Sequence, residues 1–122
     1  MEQLVEVINL WADEEGVSHF RDIKIPLNAH PMGGALSEPL KTSGLWFRQT
    51  EENQDLGWHP APRRQLVVTL SGGVAELTAS DGEARLIHPG DIVLVEDTFG
   101  QGHKSKAFDG LPRNSIFIAL ED

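Results

Sequence analysis

The sequence contains no cysteine. That excludes a disulfide framework, a thiolate zinc site, an iron–sulfur cluster and a cysteine nucleophile. Cations are scarce: 10 Lys and Arg stand against 19 Asp and Glu, a formal charge of −9. Such a surface lacks the positive charge that displaces counterions from DNA or RNA, and anionic membranes repel it. Neither nucleic acid nor membrane is an expected partner. No apolar run reaches the length of a spanning helix. Met1-Glu2-Gln3-Leu4 has neither the basic nor the apolar region of a signal peptide, so the expected compartment is the cytoplasm. Helical periodicity is almost missing, because no long window keeps apolar residues at three-and-four spacing. There are no internal repeats and no low-complexity segment. The Gly-rich pieces lack the strand–loop–helix context of a hydrolase elbow, a P-loop or a dinucleotide fingerprint.

What is present is a chain of 122 residues, 39% hydrophobic and 24% charged, the profile of one folded domain over residues 1–122. Short apolar or alternating runs are each ended by Gly, Pro, Asp or Asn. Leu4 to Trp11 comes first. Val17 to Ile25 alternates next, with Val17, His19, Arg21, Ile23 and Ile25 on one face. Residues 26–44 are irregular, as a functional loop, a lid or a disordered segment would be. Leu45 to Thr50 is a short strand, and Glu51 to Gly57 reads as a polar surface loop. Gln65 to Leu70, Val74 to Ala79, Ala84 to Ile87, Asp91 to Glu96 and Ser115 to Leu120 are further strands. Asp81-Gly82 joins two of them as a hairpin. A glycine-rich loop holds Gly100, Gly102 and His103. Regularly punctuated short strands predict an all-β sandwich or barrel. Leu66-Val67-Val68, Ile92-Val93-Leu94-Val95 and Ile116-Phe117-Ile118 do not alternate, so both of their faces should be covered. A second sheet or another subunit would cover the outer one, and a homodimer is expected.

The segment from Gly57 through Trp58-His59-Pro60-Ala61-Pro62-Arg63-Arg64 to Gln65, the strand to Gly72, Arg85 to Asp91 with its Pro89-Gly90 turn, and the loop with His103 together resemble the cupin superfamily. Within it the resemblance is to small single-domain cupins. It implies a jelly-roll barrel, a double-stranded β-helix, with a small-molecule site inside. Cupins commonly hold a divalent metal there: iron, zinc, manganese or nickel. Gln65 stands where the first cupin motif has Glu, six residues before Gly72. His59 is the one imidazole at the paired-His positions. In the second motif Glu96 and Thr98 replace Pro and Gly, and Gln101 falls on the His position, with His103 two residues on. The resemblance therefore implies a ligand set of His59, Gln65 and His103. Glu96 or Asp97 is the carboxylate that would complete it. Two imidazoles and an amide are a weak neutral set, so two readings stand: a metal-assisted site, or a barrel that uses the same residues as acid, base and hydrogen-bonding groups.

His59 and His103 are the candidate catalytic histidines, suited to proton transfer near neutral pH. Arg63 shares parity with Gln65 and is expected to face inward, against a substrate carboxylate or phenolate, or against Glu96 or Asp97. Arg64 points the other way. Trp46, Phe47 and Trp58, with Glu96, are the candidate substrate pocket. His19 is expected to be a satisfied core histidine, His30 part of a lid and His88 a turn residue. The expected function is a small-molecule enzyme acting on an apolar or aromatic organic acid, phenol or ketone. Isomerase, cyclase, lyase or dioxygenase chemistry all fit. The alternative is a non-catalytic binding or sensor module.

Overall fold

The computed structural model of the chain describes residues 3–121. They form β1 (Leu4–Ala12), β2 (Ser18–Pro26), β3 (Asn28–Ala29), β4 (Ala35–Leu36), β5 (Thr42–Thr50), β6 (Asp55–His59), β7 (Gln65–Gly72), β8 (Ala75–Ala79), β9 (Ala84–Ile87), β10 (Ile92–Val95), β11 (His103–Ala107) and β12 (Arg113–Leu120). There is no helix among the described residues, and so none that could cross a membrane. A six-stranded sheet runs β2-β1-β10-β7-β12-β5 and a four-stranded sheet runs β6-β11-β8-β9. Every pairing is antiparallel except β1 with β10. The fold is all-β, as expected. No ladder among the described residues links the two large sheets, so hydrogen bonding does not close them into a barrel.

The two sheets bury one face of each strand against the other. Leu10, Phe20, Val93 and Val95 of the six-stranded sheet meet Ala75, Ala79 and Ile87 of the four-stranded one, with Ile8, Val67 and Leu77 packed around them. The cavity between the sheets is lined in part by the same residues, Ala75, Ile87, Val93 and Val95. Side chains alternate along a strand, so Val93 and Val95 point in while Ile92 and Leu94 point out. The non-alternating strands thus present a second apolar face on the outside of the six-stranded sheet.

Two strands were invisible to apolar patterning. β11 reads His-Lys-Ser-Lys-Ala, yet it alternates in burial: His103 and Ser105 are buried while Lys104 and Lys106 are exposed. Its inward positions are polar because they face the cavity. β6 overlaps the stretch expected to be a surface loop, and its residues other than His59 are exposed. β5 begins three residues before Leu45, at Thr42. Within 26–44 the short β3–β4 ladder forms. No residue of that stretch lines the cavity.

His19 is not in the core. It lies on the outer face of β2, where its Nε2 is 2.8 Å from Asp13 Oδ2 and its Nδ1 2.8 Å from Asp81 Oδ2. Both nitrogens donate only when the ring is an imidazolium. The clasp ties the β1–β2 turn to the β8–β9 turn, and so one sheet to the other. The hydrogen bond to Asp13 raises the His19 pKa above 6.5, and Asp81 adds to the effect against an opposing contribution from burial. The bond to His19 in turn lowers the pKa of Asp13 below 3.8. A raised histidine stabilises the fold fully below its unfolded pKa and loses that contribution as pH rises through the folded one. The lowered Asp13 loses its contribution only as pH falls through its own folded value. Melting temperature should therefore fall as pH rises above about 6.5, the ordinary histidine value, and His19→Gln should flatten that slope. A wild-type slope identical to the variant's would remove the clasp from the account.

Candidate functional site

The space between the sheets is a cavity of about 330 Å³. This is at the small end of the range for ligand pockets. Its walls are apolar, with Val67, Val93 and Phe117 on one side and Leu77 and Ile87 on the other. Its polar groups gather at two ends. His59, His103 and Gln65 form one, and Gln54, Ser105 and Arg113 form the other. Arg48 and Arg63 are exposed lining residues and mark the opening.

The histidine end depends on one close approach. His59 closes β6 because Pro60 has no N–H to continue a ladder. Ala61 N then donates to Asp97 O at 2.9 Å, fixing the loop against the end of β10. Gly102 has φ +76°, and a Cβ there would lie 2.0 Å from the His59 carbonyl oxygen. The missing side chain lets β11 start directly beside β6, so that His103 and His59 are partners across the ladder. Ser18 Oγ donates to Gly102 O at 2.8 Å and holds that turn from the other sheet. The two imidazoles end with centroids 4.6 Å apart and planes inclined at 54°.

Hydrogen bonding sets the tautomers. His59 Nδ1 is 2.7 Å from Gly57 O, a group that only accepts, so Nδ1 carries the proton and Nε2 keeps its lone pair in the neutral ring. His103 Nδ1 is 2.6 Å from Asp97 Oδ2. With that carboxylate ionised, His103 Nδ1 is the donor and Nε2 is the free nitrogen of a ring that lines the cavity. Asp97 is fully buried at 0% exposure, and its Oδ1 has no partner. A buried carboxylate bound only to an imidazole stabilises the imidazolium that forms when Nε2 accepts a proton. The pair thus has the parts of a general base: a nitrogen facing the cavity, a fixed tautomer and a charge behind it.

Several expected positions are corrected. Gln65 opens β7 in the sheet opposite His59, after the Pro-containing loop, and faces the cavity at 5% exposure. Arg63 lies at the mouth. Its Nη1 is 3.5 Å from Gln65 Oε1, and its guanidinium lies 4.9 Å over the Trp46 ring. Trp46, Phe47 and Trp58 do not line the cavity. Trp46 lies beyond the mouth under Arg63, Phe47 is on the outer face, and Trp58 points out beside Lys104 because His59, its neighbour, points in. Glu96 is also outside, since Val95 before it points in. Arg64 Nε and Asn9 Nδ2 each donate to it at 2.9 Å, and Arg21 Nε donates to Asn9 Oδ1 at 2.7 Å. It belongs to a structural network on the outer face, neither to the pocket nor to a metal set. His88 is exposed in its turn, as expected, and His30 is exposed away from the cavity.

Arg113, Arg48 and Gln54 are the groups that sequence reasoning passed over as site residues, and Asp97, considered there as a further ligand or a partner of Arg63, is instead the partner of His103. For Arg113 a signal existed: it shares parity with Ser115 and Phe117, which also line the cavity. The strand was expected to start at Ser115, which left Arg113 in a turn.

The donor set does not suit a firmly held metal. The bonds that free both Nε2 atoms are of the kind that orient metal-bound histidines. The third donor is only the neutral amide of Gln65, and Asp97 is already bound to His103 Nδ1. No group of three His, Cys, Asp or Glu side chains able to hold a metal occurs among the described residues. Iron, zinc, manganese and nickel sites draw on more than two imidazoles and an amide.

No family model matches this chain, and no curated protein matches it. Among solved structures, it is similar to the conserved protein SPY1581, of unknown function, from Streptococcus pyogenes, at 20% identity over 71% of this chain and 70% of that one, with a TM-score of 0.47.

Proposed function

We propose that the chain is a small cupin-type jelly roll acting as a cofactor-independent proton-transfer enzyme, an isomerase, cyclase or lyase for a small organic acid or ketone. The observation that carries this reading is the buried Asp97–His103 pair, which leaves one imidazole nitrogen free in a cavity with apolar walls. The order of sequence motifs supports the cupin assignment. In the reaction His103 Nε2 removes a proton from the carbon beside a carbonyl, whose electron pair moves onto the oxygen as an enolate. The imidazolium then returns the proton at the same or a neighbouring carbon. Asp97 stabilises the imidazolium in between. Arg63 donates to Gln65 Oε1 and so leaves the Gln65 amide nitrogen as the donor turned to the cavity, where it steadies the enolate oxygen. His59 packs on His103 and limits the orientations of its ring.

The test needs no knowledge of the natural substrate. A panel of small keto acids and ketones is incubated with the protein in D₂O and followed by proton NMR. Loss of C–H signal beside the carbonyl, above the buffer rate, is the expected result. Ligands that bind without any wash-in would sink the enzyme reading and favour a binding or sensor module.

A second copy of the chain is the proposed partner. Leu45, Phe47 and Leu70 are 52%, 81% and 49% exposed on the outer face of the six-stranded sheet, beside outward-facing Leu66, Val68, Ile116 and Ile118. A monomer rarely exposes so continuous an apolar patch. Sedimentation equilibrium should give the mass of two chains, and Phe47→Asp that of one. A monomeric wild type would overturn the pairing.

A further inference from the structure

We infer that the end of the cavity opposite the histidines is an anion site built by Arg113 and Arg48, and that the ligand is a compact organic carboxylate with an apolar body. The inference rests on the cavity being the ligand site, and it names the class of molecule that the proposed enzyme would take.

The charge of the cavity is the first observation. The chain carries −9 overall, yet its cavity is lined by Arg48, Arg63, Arg113 and two histidines, with no Asp or Glu. The single buried carboxylate nearby, Asp97, lies behind His103 rather than on the cavity wall. An anion entering would thus meet only cations and neutral groups.

The second observation is the state of Arg113. Its Nη2 donates to Gln54 Oε1 at 3.2 Å, and Gln54 Nε2 donates to Ser105 Oγ at 3.1 Å, which holds the guanidinium in place. Its Nη1 is buried with no partner. No carboxylate lies within ion-pair distance of it among the described residues. Asp109, the acidic group whose charge acts on it, is bound to the backbone N–H groups of Val74 and Leu111. Burial, and then repulsion from Arg48, push the Arg113 pKa down. A guanidinium nonetheless stays charged at any ordinary pH. Arg113 is half-buried, and a guanidinium nitrogen shut off from water without a counter-ion is unfavourable unless something supplies one. A ligand carboxylate would do so, by charge-assisted hydrogen bonds to the vacant Nη1 and to Arg48.

The third observation is the layout. Thr50 is the ladder partner of Arg113, and Thr69 that of Ser115, so hydroxyl groups surround the same end. Gln65 and Thr69 mark the two ends along β7, four residues or about 13 Å apart at the rise of an extended strand. Between them lie Val67 and Phe117. A ligand anchored by its carboxylate on Arg113 would lay its apolar body on these and bring its other end toward His103 Nε2.

Calorimetric titration tests this with cyclohexanecarboxylate and its neutral isostere cyclohexanecarboxamide. Wild-type protein should bind the carboxylate at least about tenfold more tightly than the amide, the scale of a charge-assisted hydrogen bond. Arg113→Gln should lose about that factor for the carboxylate alone. Arg48→Gln, at an exposed position, should lose a smaller factor and serves if Arg113→Gln does not fold. His103→Ala should keep the preference for the carboxylate. Equal binding of the two probes, no carboxylate binding at all, or full affinity in a folded Arg113→Gln or in Arg48→Gln would overturn the anion site. Charge-selective binding without deuterium wash-in would sink the enzyme reading and leave this one standing. Wash-in without charge selectivity would do the reverse.

Discussion

Replacing His103 by alanine is expected to slow deuterium wash-in by about 10²–10⁴-fold, the usual worth of a positioned general base. Asp97→Asn should approach the same loss although it removes no group that touches substrate. The asparagine amide can turn its NH₂ toward His103 Nδ1, which moves the ring proton to Nε2 and takes away the lone pair that accepts the substrate proton. Asp97→Glu lengthens the side chain behind a buried ring and should rescue poorly. Folding of each variant is checked by circular dichroism, because Asp97 is buried; its backbone contact to Ala61 is untouched by either change. Dialysis against EDTA should leave the wild-type rate unchanged, since no step above involves a metal. Wash-in by His103→Ala at the wild-type rate would falsify the assignment of the base. A rate abolished by EDTA and restored by one divalent ion would return the site to metal-assisted chemistry.

Gly102→Ala is expected to damage the fold and the site together. The added methyl would sit 2.0 Å from the His59 carbonyl oxygen and 2.4 Å from Pro60 N, both rigid backbone, at a φ of +76°. Backbone strain of about 1–3 kcal/mol and overpacking of about 1–3 kcal/mol act together, for a loss of roughly 2–6 kcal/mol. Gly82→Ala is the matched control. Its φ is +100°, but a Cβ there meets nothing within 4 Å. It should show the strain without the clash. Thermal melts of both variants separate the two contributions, and the His59 and His103 ring resonances report whether the imidazole pair has moved apart. Equal losses at the two positions would remove the close approach as the reason for glycine at 102.

The all-β class was legible because turns punctuate the chain so regularly. The Asp81-Gly82 hairpin, the Pro89-Gly90 turn and the apolar strands around Val67, Val93 and Phe117 follow from local chemistry. His59, Gln65 and His103 were named as one set, and they do line one end of one cavity. Arg63 was expected to face inward with Gln65; it lies exposed at the mouth, with its Nη1 3.5 Å from Gln65 Oε1. The tryptophans and Phe47 were not placed rightly. Aromatic residues are apolar whichever way they point, and nothing local told the inward Arg48 from the outward Phe47 beside it. Glu96 failed for a related reason: its strand parity was known, but the face was not.

Composition, turn chemistry and strand periodicity by themselves determined an acidic, cysteine-free, all-β chain with two histidines and a glutamine as its chemical candidates. Tertiary structure alone decided that Asp97 stands behind His103, that Arg113 lacks a counter-ion, and that Trp46, Phe47 and Trp58 lie outside the cavity. Periodicity records which residues share a face of a strand. It does not record which face turns inward or which strands meet across the gap, because those depend on contacts between segments far apart in the chain. β11 shows the difference most directly: its inward residues are polar, so the apolar pattern that reveals a strand is absent where the site is built.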